Sequence, residues 1–488
     1  MIKNIKKNDE IIVKIERLGD SGEGIAVYDG IVVFVPFAKP GDVVKVHIIN
    51  DKKSFLIAKV VERLKQAQPE IVPPCPYFYK CGGCDIQHLS EIEQLQFKKE
   101  MVRNSLKKYA KIDVEINDVF PSDKWFRYRN KFSFPVQEVD GEIKIGMYRK
   151  NSHQIIEIED CLLQSEKTKI ILKLFKEFML ENKLTAYNEQ TRKGLVKHLV
   201  VREHGEEFIL SVVVTSEKFN NFEPLIQKLK THFHSFGIVK NVNKLNNNVI
   251  FGNLDMHIYG LQNLELEDFG IKYEINNRSF LQVNDYIKNE IYQKIIETIG
   301  GHKTIIDAYS GAGLLSSILA KRTGRVIGVE IEKQATKNAD NLKNRNNLYN
   351  LTNKNGDCAE IIPELAKELK GEFAIVVDPP RKGLDVKVVE SFLDAEPKQI
   401  VYLSCNPATL ARDLEKLTQK YEVEFVQPYD MFPQTANVET LVSLKLKTQK
   451  SPKKTLKNNK KLQKLSKTSK YFDFYDDIKA GCHKIVDW

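Results

Sequence analysis

Lys303-Thr-Ile-Ile-Asp-Ala-Tyr-Ser-Gly-Ala-Gly313 is an apolar run that stops at two glycines, and three more runs of its kind follow: Arg325-Val-Ile-Gly-Val-Glu330, Phe373-Ala-Ile-Val-Val-Asp378 and Gln399-Ile-Val-Tyr-Leu-Ser404. Helix-patterned segments separate them. Continuous rather than alternating hydrophobicity marks strands buried on both faces, and the intervening helices supply the covering layers, so residues 284 to 446 read as a doubly wound α/β domain. In such a sheet a ligand sits beyond the carboxyl ends of the strands. Gly311 and Gly313 let it approach backbone there. Glu330, which ends the next run 19 residues after Gly311, can accept hydrogen bonds from two ribose hydroxyls. Nicotinamide dinucleotides and S-adenosylmethionine both use this geometry, and the loop does not choose between them.

The other two runs end in reactive groups. One closes on Asp378-Pro-Pro-Arg-Lys-Gly383 and the other on Ser404-Cys405-Asn406-Pro407, and both ends lie on the edge that carries the glycine loop. A carboxylate, a thiol and a ligand loop therefore converge. An inert buried cysteine would sit within the apolar run, whereas Cys405 follows it, before an Asn-Pro step that disfavours helix.

Leu403-Ser-Cys-Asn-Pro-Ala-Thr-Leu-Ala-Arg-Asp413, Asp378-Pro-Pro-Arg-Lys-Gly383 and Asp430-Met-Phe-Pro-Gln-Thr-Ala-Asn-Val-Glu-Thr440 are similar to three signature blocks of S-adenosylmethionine-dependent RNA uracil-5-methyltransferases. Phe280-Leu-Gln-Val-Asn284 is similar to a fourth, and the resemblance spans roughly residues 10 to 446. It implies that Cys405 is the nucleophile and Glu439 the general base, with Gln282, Tyr309, Gly311, Glu330 and Asp378 lining the cofactor and base pocket. The chemistry needs these residue types. Carbon 5 of uracil is a poor nucleophile until a thiolate adds at carbon 6, and a carboxylate must then remove the proton at carbon 5. Where family members commonly carry histidines, this chain has Gln434 and Asn437, which keep hydrogen bonding but lose titration near neutral pH.

Cys75, Cys81 and Cys84, spaced C-x(5)-C-x(2)-C, with a distant Cys161, have metal-ligand spacing, which leaves zinc and a 4Fe-4S cluster both open. The loop Cys75-Pro-Tyr-Phe-Tyr-Lys-Cys-Gly-Gly-Cys84 is similar to the cluster loop of the ribosomal-RNA branch of the family, and that resemblance favours the 4Fe-4S cluster, in a folding and RNA-docking role. Cys358 and Cys482 have no partners by spacing.

Upstream, residues 9 to 63 break into five short strand-like runs separated by glycines, the pattern of a small OB-like β-barrel. Gly19-Asp-Ser-Gly-Glu-Gly-Ile-Ala26 and Val35-Pro-Phe-Ala-Lys-Pro-Gly-Asp-Val-Val44 resemble a TRAM domain, an RNA-binding module. Strand-like runs and one amphipathic helix, Lys167 to Glu181, give residues 123 to 278 an α+β character. Trp125-Phe-Arg-Tyr-Arg-Asn-Lys131, Met147-Tyr-Arg-Lys-Asn-Ser-His153 and Arg192-Lys-Gly194 interleave rings and cations, a pattern suited to stacking on bases and neutralising phosphates.

The chain has 488 residues, 42% of them hydrophobic and 29% charged, which suits about three folded domains and neither a disordered chain nor a membrane protein. Its net charge of +10 is concentrated. Residues 445 to 470 hold 11 lysines and no acid, leaving 10 − 11 = −1 for the rest. The expected organisation is an OB-like TRAM domain over residues 1–66 and a central α+β domain with the cysteine cluster over 67–278. A helix near 93–120 is expected to pack on the third part, a Rossmann-like doubly wound methyltransferase domain over 279–447, which precedes a Lys-rich, disordered tail over 448–488. No signal peptide or membrane span is expected. The expected function is 23S ribosomal RNA uracil-5-methylation by a cytoplasmic monomer; the alternatives are the same reaction on transfer RNA, and an RNA-binding protein with a decayed methyltransferase domain.

Overall fold

The apolar runs of the C-terminal part assemble into one seven-stranded sheet. In the computed structural model, which describes residues 5–448 other than 53, 70 and 371, its strands are β1 (Thr304–Ala308), β2 (Arg325–Glu330), β3 (Leu351–Asn355), β4 (Ala374–Val377), β5 (Gln399–Ser404), β6 (Tyr421–Tyr429) and β7 (Glu439–Leu446). Their order across the sheet is β3-β2-β1-β4-β5-β7-β6. The first five are parallel, and β7 inserts antiparallel between β5 and β6. Successive residues of each strand face opposite layers. Ile306, Ile327, Ile375 and Ile400 join the core under the helices Cys358–Leu369, Val386–Ala395 and Pro407–Leu417. Ile305, Val326, Val376 and Val401 join the core under Asp285–Ile299 and Leu314–Ala320.

A helix from far upstream completes the first of these layers. Glu91–Ser105 starts at a capping box in which Ser90 and Glu93 satisfy each other's backbone N–H groups. It continues as a π-turn over Leu106–Ala110 and stops at Lys111, which is left-handed at φ 57°. Val102, Leu106 and Ala110 share a core with Leu410, Tyr421 and Val426. The helical segment is shorter than expected, since residues beyond Lys111 run extended beside β6: Asn117 and Phe120 donate backbone N–H groups to the carbonyls of Val426 and Pro428.

The central part is a second seven-stranded sheet, in the order Leu254–Gly260, Phe236–Val242, Glu207–Val214, Val196–His204, Lys131–Val139, Glu142–Tyr148 and Ile155–Glu157. The helices Lys167–Glu181 and Glu223–Lys230 pack on it through Phe175, Phe178, Leu225 and Leu229. The N-terminal part has six strands rather than five, because Arg17–Leu18 forms a short piece of its own. Glu10–Lys14 and Arg17–Leu18 are the two edges of that sheet and adjoin in the chain, and Glu16 donates to the Ile25 carbonyl between them, so the sheet closes into a barrel. No helix among the described residues is long and apolar enough to cross a membrane. The tail expected over 448–488 lies outside the described residues from 449 onward.

Candidate active site

The register of the sheet decides which polar residues meet. Ser404 of β5 pairs with Thr440 of β7 across an antiparallel ladder, so the flanking residues Cys405 and Glu439 come opposite one another. Ala308 of β1 pairs with Val377 of β4, which sets Tyr309 beside Asp378. Val377 in turn pairs with Tyr402, so Asp378 adjoins the end of β5. Cys405 leads into the helix Pro407–Leu417, whose Asn406 cap accepts from the Ala408 N–H at 3.0 Å.

The acids in this pocket perturb one another. Burial, followed by the Glu439 and Asp378 carboxyls, pushes the Cys405 thiol up to about 12, while the Arg381 guanidinium opposes them. Glu439 is 3% exposed, and burial, with Asp378 adding to it, raises its carboxyl well above the ordinary range. Asp378 is raised to about 7 by burial and by Asp307. Asp307, buried in β1 and accepting from the Ser316 hydroxyl at 2.5 Å, is also raised to about 7, chiefly by burial. A positive charge brought to this thiol and its neighbouring carboxyl groups would favour their ionised forms, as Arg381 already does for Cys405 and Glu439.

Glu330, 9% exposed at the end of β2, accepts from the backbone N–H groups of Gly311 (2.9 Å) and Glu332 (2.8 Å), which points its carboxylate at the glycine loop. Gly311 has φ 54° with open space where a Cβ would lie, whereas a Cβ on Gly313, at φ 81°, would come within 2.7 Å of Ala339. One glycine leaves room for a ligand and the other lets the helices pack. Tyr309 is left-handed at φ 62°. Gln282 lies two residues before the Asn284 cap of Asp285–Ile299, and its backbone carbonyl accepts from Asn130 at 3.0 Å.

Asp307 and Arg381 lie within the strand-end motifs and act on groups of this pocket; a carboxylate inside an apolar strand is the sequence signal that marks Asp307. Gln434 does not face the pocket. Its buried amide accepts from Gln94 at 3.0 Å and donates to the Trp125 carbonyl at 3.4 Å, while Asn437 donates to the Thr435 hydroxyl at 3.4 Å. The ring-and-cation run 125–131 is largely framework rather than an open RNA surface. Arg127 grips Asp160 with two hydrogen bonds (2.8 and 2.7 Å) and donates to the Cys161 and Gln164 carbonyls, and Tyr128 is buried with its hydroxyl on the Pro433 carbonyl.

The four clustered cysteines are free thiols. Cys81 is pushed up to about 12, by burial first and then by Cys161 and Cys75, and Cys84 is raised by burial and by the other three. Thiols that penalise one another's ionisation need a positive charge among them to become thiolates, which is what a metal group supplies. No group of three His, Cys, Asp or Glu side chains placed to hold a metal ion is found among the described residues.

Comparison with known proteins bears on the whole arrangement. A family model described as tRNA (Uracil-5-)-methyltransferase matches residues 90–447, and the TRAM domain model matches residues 6–61. Among curated relatives, an uncharacterized RNA methyltransferase of Clostridium acetobutylicum is 38% identical over 90% of this chain and 98% of its own length. One of Listeria innocua is 38% identical over 91% and 99%. Among solved structures, the Pyrococcus abyssi tRNA (uracil-54, C5)-methyltransferase in complex with S-adenosyl-L-homocysteine superposes with a TM-score of 0.72 at 28% identity, covering 89% of this chain and 99% of that one.

Proposed function

The chain belongs to the tRNA (uracil-5-)-methyltransferase family, and on that premise we propose that it methylates carbon 5 of a uridine in 23S ribosomal RNA, with Cys405 as nucleophile and Glu439 as base. It is an S-adenosylmethionine-dependent RNA methyltransferase carrying a TRAM domain. The observation that carries the proposed roles is the β5–β7 register, which sets a thiol opposite a buried carboxyl group beside the glycine loop.

S-adenosylmethionine supplies the methyl group when bound; the rest falls to this chain. Glu330 and the Gly311 loop would take the ribose, and Gln282, Tyr309 and Asp378 would line the remainder of the pocket. Arg381 opposes the Glu439 and Asp378 carboxyls at Cys405, and the positive charge that S-adenosylmethionine would bring to this pocket would add to it in favouring the thiolate. The sulfur adds to carbon 6 of the target uracil, and carbon 5 accepts the methyl group. Glu439 then takes the proton from carbon 5, the C–H electron pair restores the ring double bond, and the carbon–sulfur bond breaks. Reaching a base in folded RNA requires turning it out of its stack, the reason for RNA-binding parts beside the catalytic one.

Cys75, Cys81, Cys84 and Cys161 would hold a 4Fe-4S cluster that braces the fold, since methyl transfer consumes no electron. The cysteine loop with the TRAM domain supports ribosomal RNA as substrate; the Pyrococcus abyssi neighbour, named for a transfer RNA reaction, favours transfer RNA as the second reading. Mapping 5-methyluridine in both RNAs from a knockout strain separates them, and loss from transfer RNA alone would overturn the first. Cys405→Ala should abolish both turnover and the covalent adduct with 5-fluorouridine RNA. Glu439→Gln should still form an adduct with uridine RNA and release it slowly; wild-type turnover in Cys405→Ala would sink the mechanism.

A further inference from the structure

The segment 430–438 that delivers Glu439 to β7 lies outside helix and strand, yet residues from 85 to 128 hold it along its length. The backbone N–H groups of Asp85 and Ile86, next to Cys84, both donate to the Gln434 carbonyl, at 3.0 and 3.2 Å. The Asp85 carboxylate accepts from the Ala436 N–H at 3.2 Å, three residues before Glu439, and its other oxygen accepts from Lys150 at 2.6 Å. Gln94 and Gln434 exchange hydrogen bonds, side chain to side chain at 3.0 Å and Gln434 N–H to Gln94 Oε1 at 3.1 Å. Ala436 packs against Ile86, Leu89 and Phe97. Lys98 reaches Asp430 and, at 2.9 Å, the Phe432 carbonyl.

This restraint has something to oppose. Glu439 is buried beside Asp378, and an unrestrained segment would relieve both desolvation and repulsion by letting the carboxyl group swing toward water. The N-terminal barrel presses on the same place. Phe37 packs edge-on against Phe78 and Tyr79, and Gly22, at φ 80°, leaves the space in which the Ile86 side chain sits.

We propose that Asp85 is a positioning residue for Glu439, and that the cysteine loop is the strut between the TRAM domain and the segment that carries the base. This rests on reading Glu439 as the group that takes the carbon-5 proton. Sulfur addition and methyl transfer precede that step and need neither Glu439 nor the strut. In the step itself the C–H bond breaks, its proton passes to the carboxylate, its electron pair forms the C5–C6 double bond, and the carbon–sulfur pair returns to Cys405.

The test uses the full chain with uridine-containing RNA. Asp85→Ala should carry out the first methyl transfer at a near wild-type rate and with an unchanged KM for S-adenosylmethionine. Its kcat should fall about 10- to 100-fold, the scale of a misplaced catalytic group, while methylated RNA accumulates covalently attached to protein. Asp85→Asn, which keeps an acceptor for the Ala436 N–H, should restore most of kcat. Hydrogen exchange supplies a readout apart from activity: the amides of 436–439 should exchange faster in Asp85→Ala while those of β1 do not change. Gln94→Ala opens the segment from the helix side, away from the cysteines, and should give the same partition. Glu439→Gln is run in parallel. If it accumulates no adduct, the base assignment fails. If it does accumulate adduct while Asp85→Ala and Gln94→Ala either turn over like wild type or lose first-turnover methylation in step with kcat, the strut is overturned.

Discussion

Asp378 couples the chemistry of the pocket to pH. Its carboxyl group is raised to about 7 by burial and by Asp307, so in the free protein it is half protonated near neutrality. If Asp378 lines the cofactor pocket as proposed, a cofactor carrying a sulfonium would favour its ionised form, whereas the uncharged sulfur of the product would not. Preference for S-adenosylmethionine over S-adenosylhomocysteine should therefore rise as pH goes from 6 to 8 and level off above, measured by calorimetric titration. Asp378→Asn should flatten that rise, and a wild-type preference independent of pH would contradict it. Stability has the opposite slope. Because the folded pKa exceeds the unfolded value, folding becomes less favourable as pH rises from about 4 to about 7 and changes no further above that. Asp378→Asn should accordingly raise Tm more at pH 8 than at pH 5. None of this was legible in Asp378-Pro-Pro-Arg-Lys-Gly383 as a string, because the shift comes first from burial under the assembled fold and then from Asp307, 71 positions away in sequence and one strand away in the sheet.

At the scale of the element, Glu91–Ser105 combines a readable start with an unreadable partner. Ser90-x-x-Glu93 is a capping box visible in sequence. Lys98 looks like one more solvated lysine among several, yet its side chain is fully buried against Asp430, 332 positions on, whose Oδ2 has no hydrogen-bond partner among the described residues. Breaking a buried pair strands the remaining charge. Lys98→Met should cost about 3–5 kcal/mol of stability, read by denaturant unfolding, and adding Asp430→Leu should recover a substantial part. A loss below about 1 kcal/mol, the range of an exposed pair, would mean that water reaches the pair.

Across the whole molecule, the cysteine loop touches all three parts of the chain. Phe37 of the barrel packs on its rings, Gly82 donates to the Tyr148 carbonyl of the central sheet at 2.9 Å, and Asp85 holds the segment before β7. A metal group there would brace the barrel, the central sheet and the catalytic sheet at once. Anaerobically purified protein should be coloured and contain iron and sulfide. Removing the metal should increase protease sensitivity at both the barrel junction and residues 430–438. Colourless protein with stoichiometric zinc would contradict the cluster, and unchanged protection after metal removal would contradict its bracing role.

The doubly wound sheet, the glycine loop, the thiol beyond β5 and the N-terminal barrel were all determined by sequence, because each follows from local periodicity and from which residue ends a buried strand. Tertiary structure alone decided the rest. The antiparallel register of β7 against β5 brings Glu439 to Cys405, the distant Cys161 joins three thiols of one loop, and Arg127 and Tyr128 turn inward to become framework. Each depends on contacts between residues far apart in the chain, and whether a polar side chain is exposed or buried is set by what packs over it rather than by its neighbours in sequence.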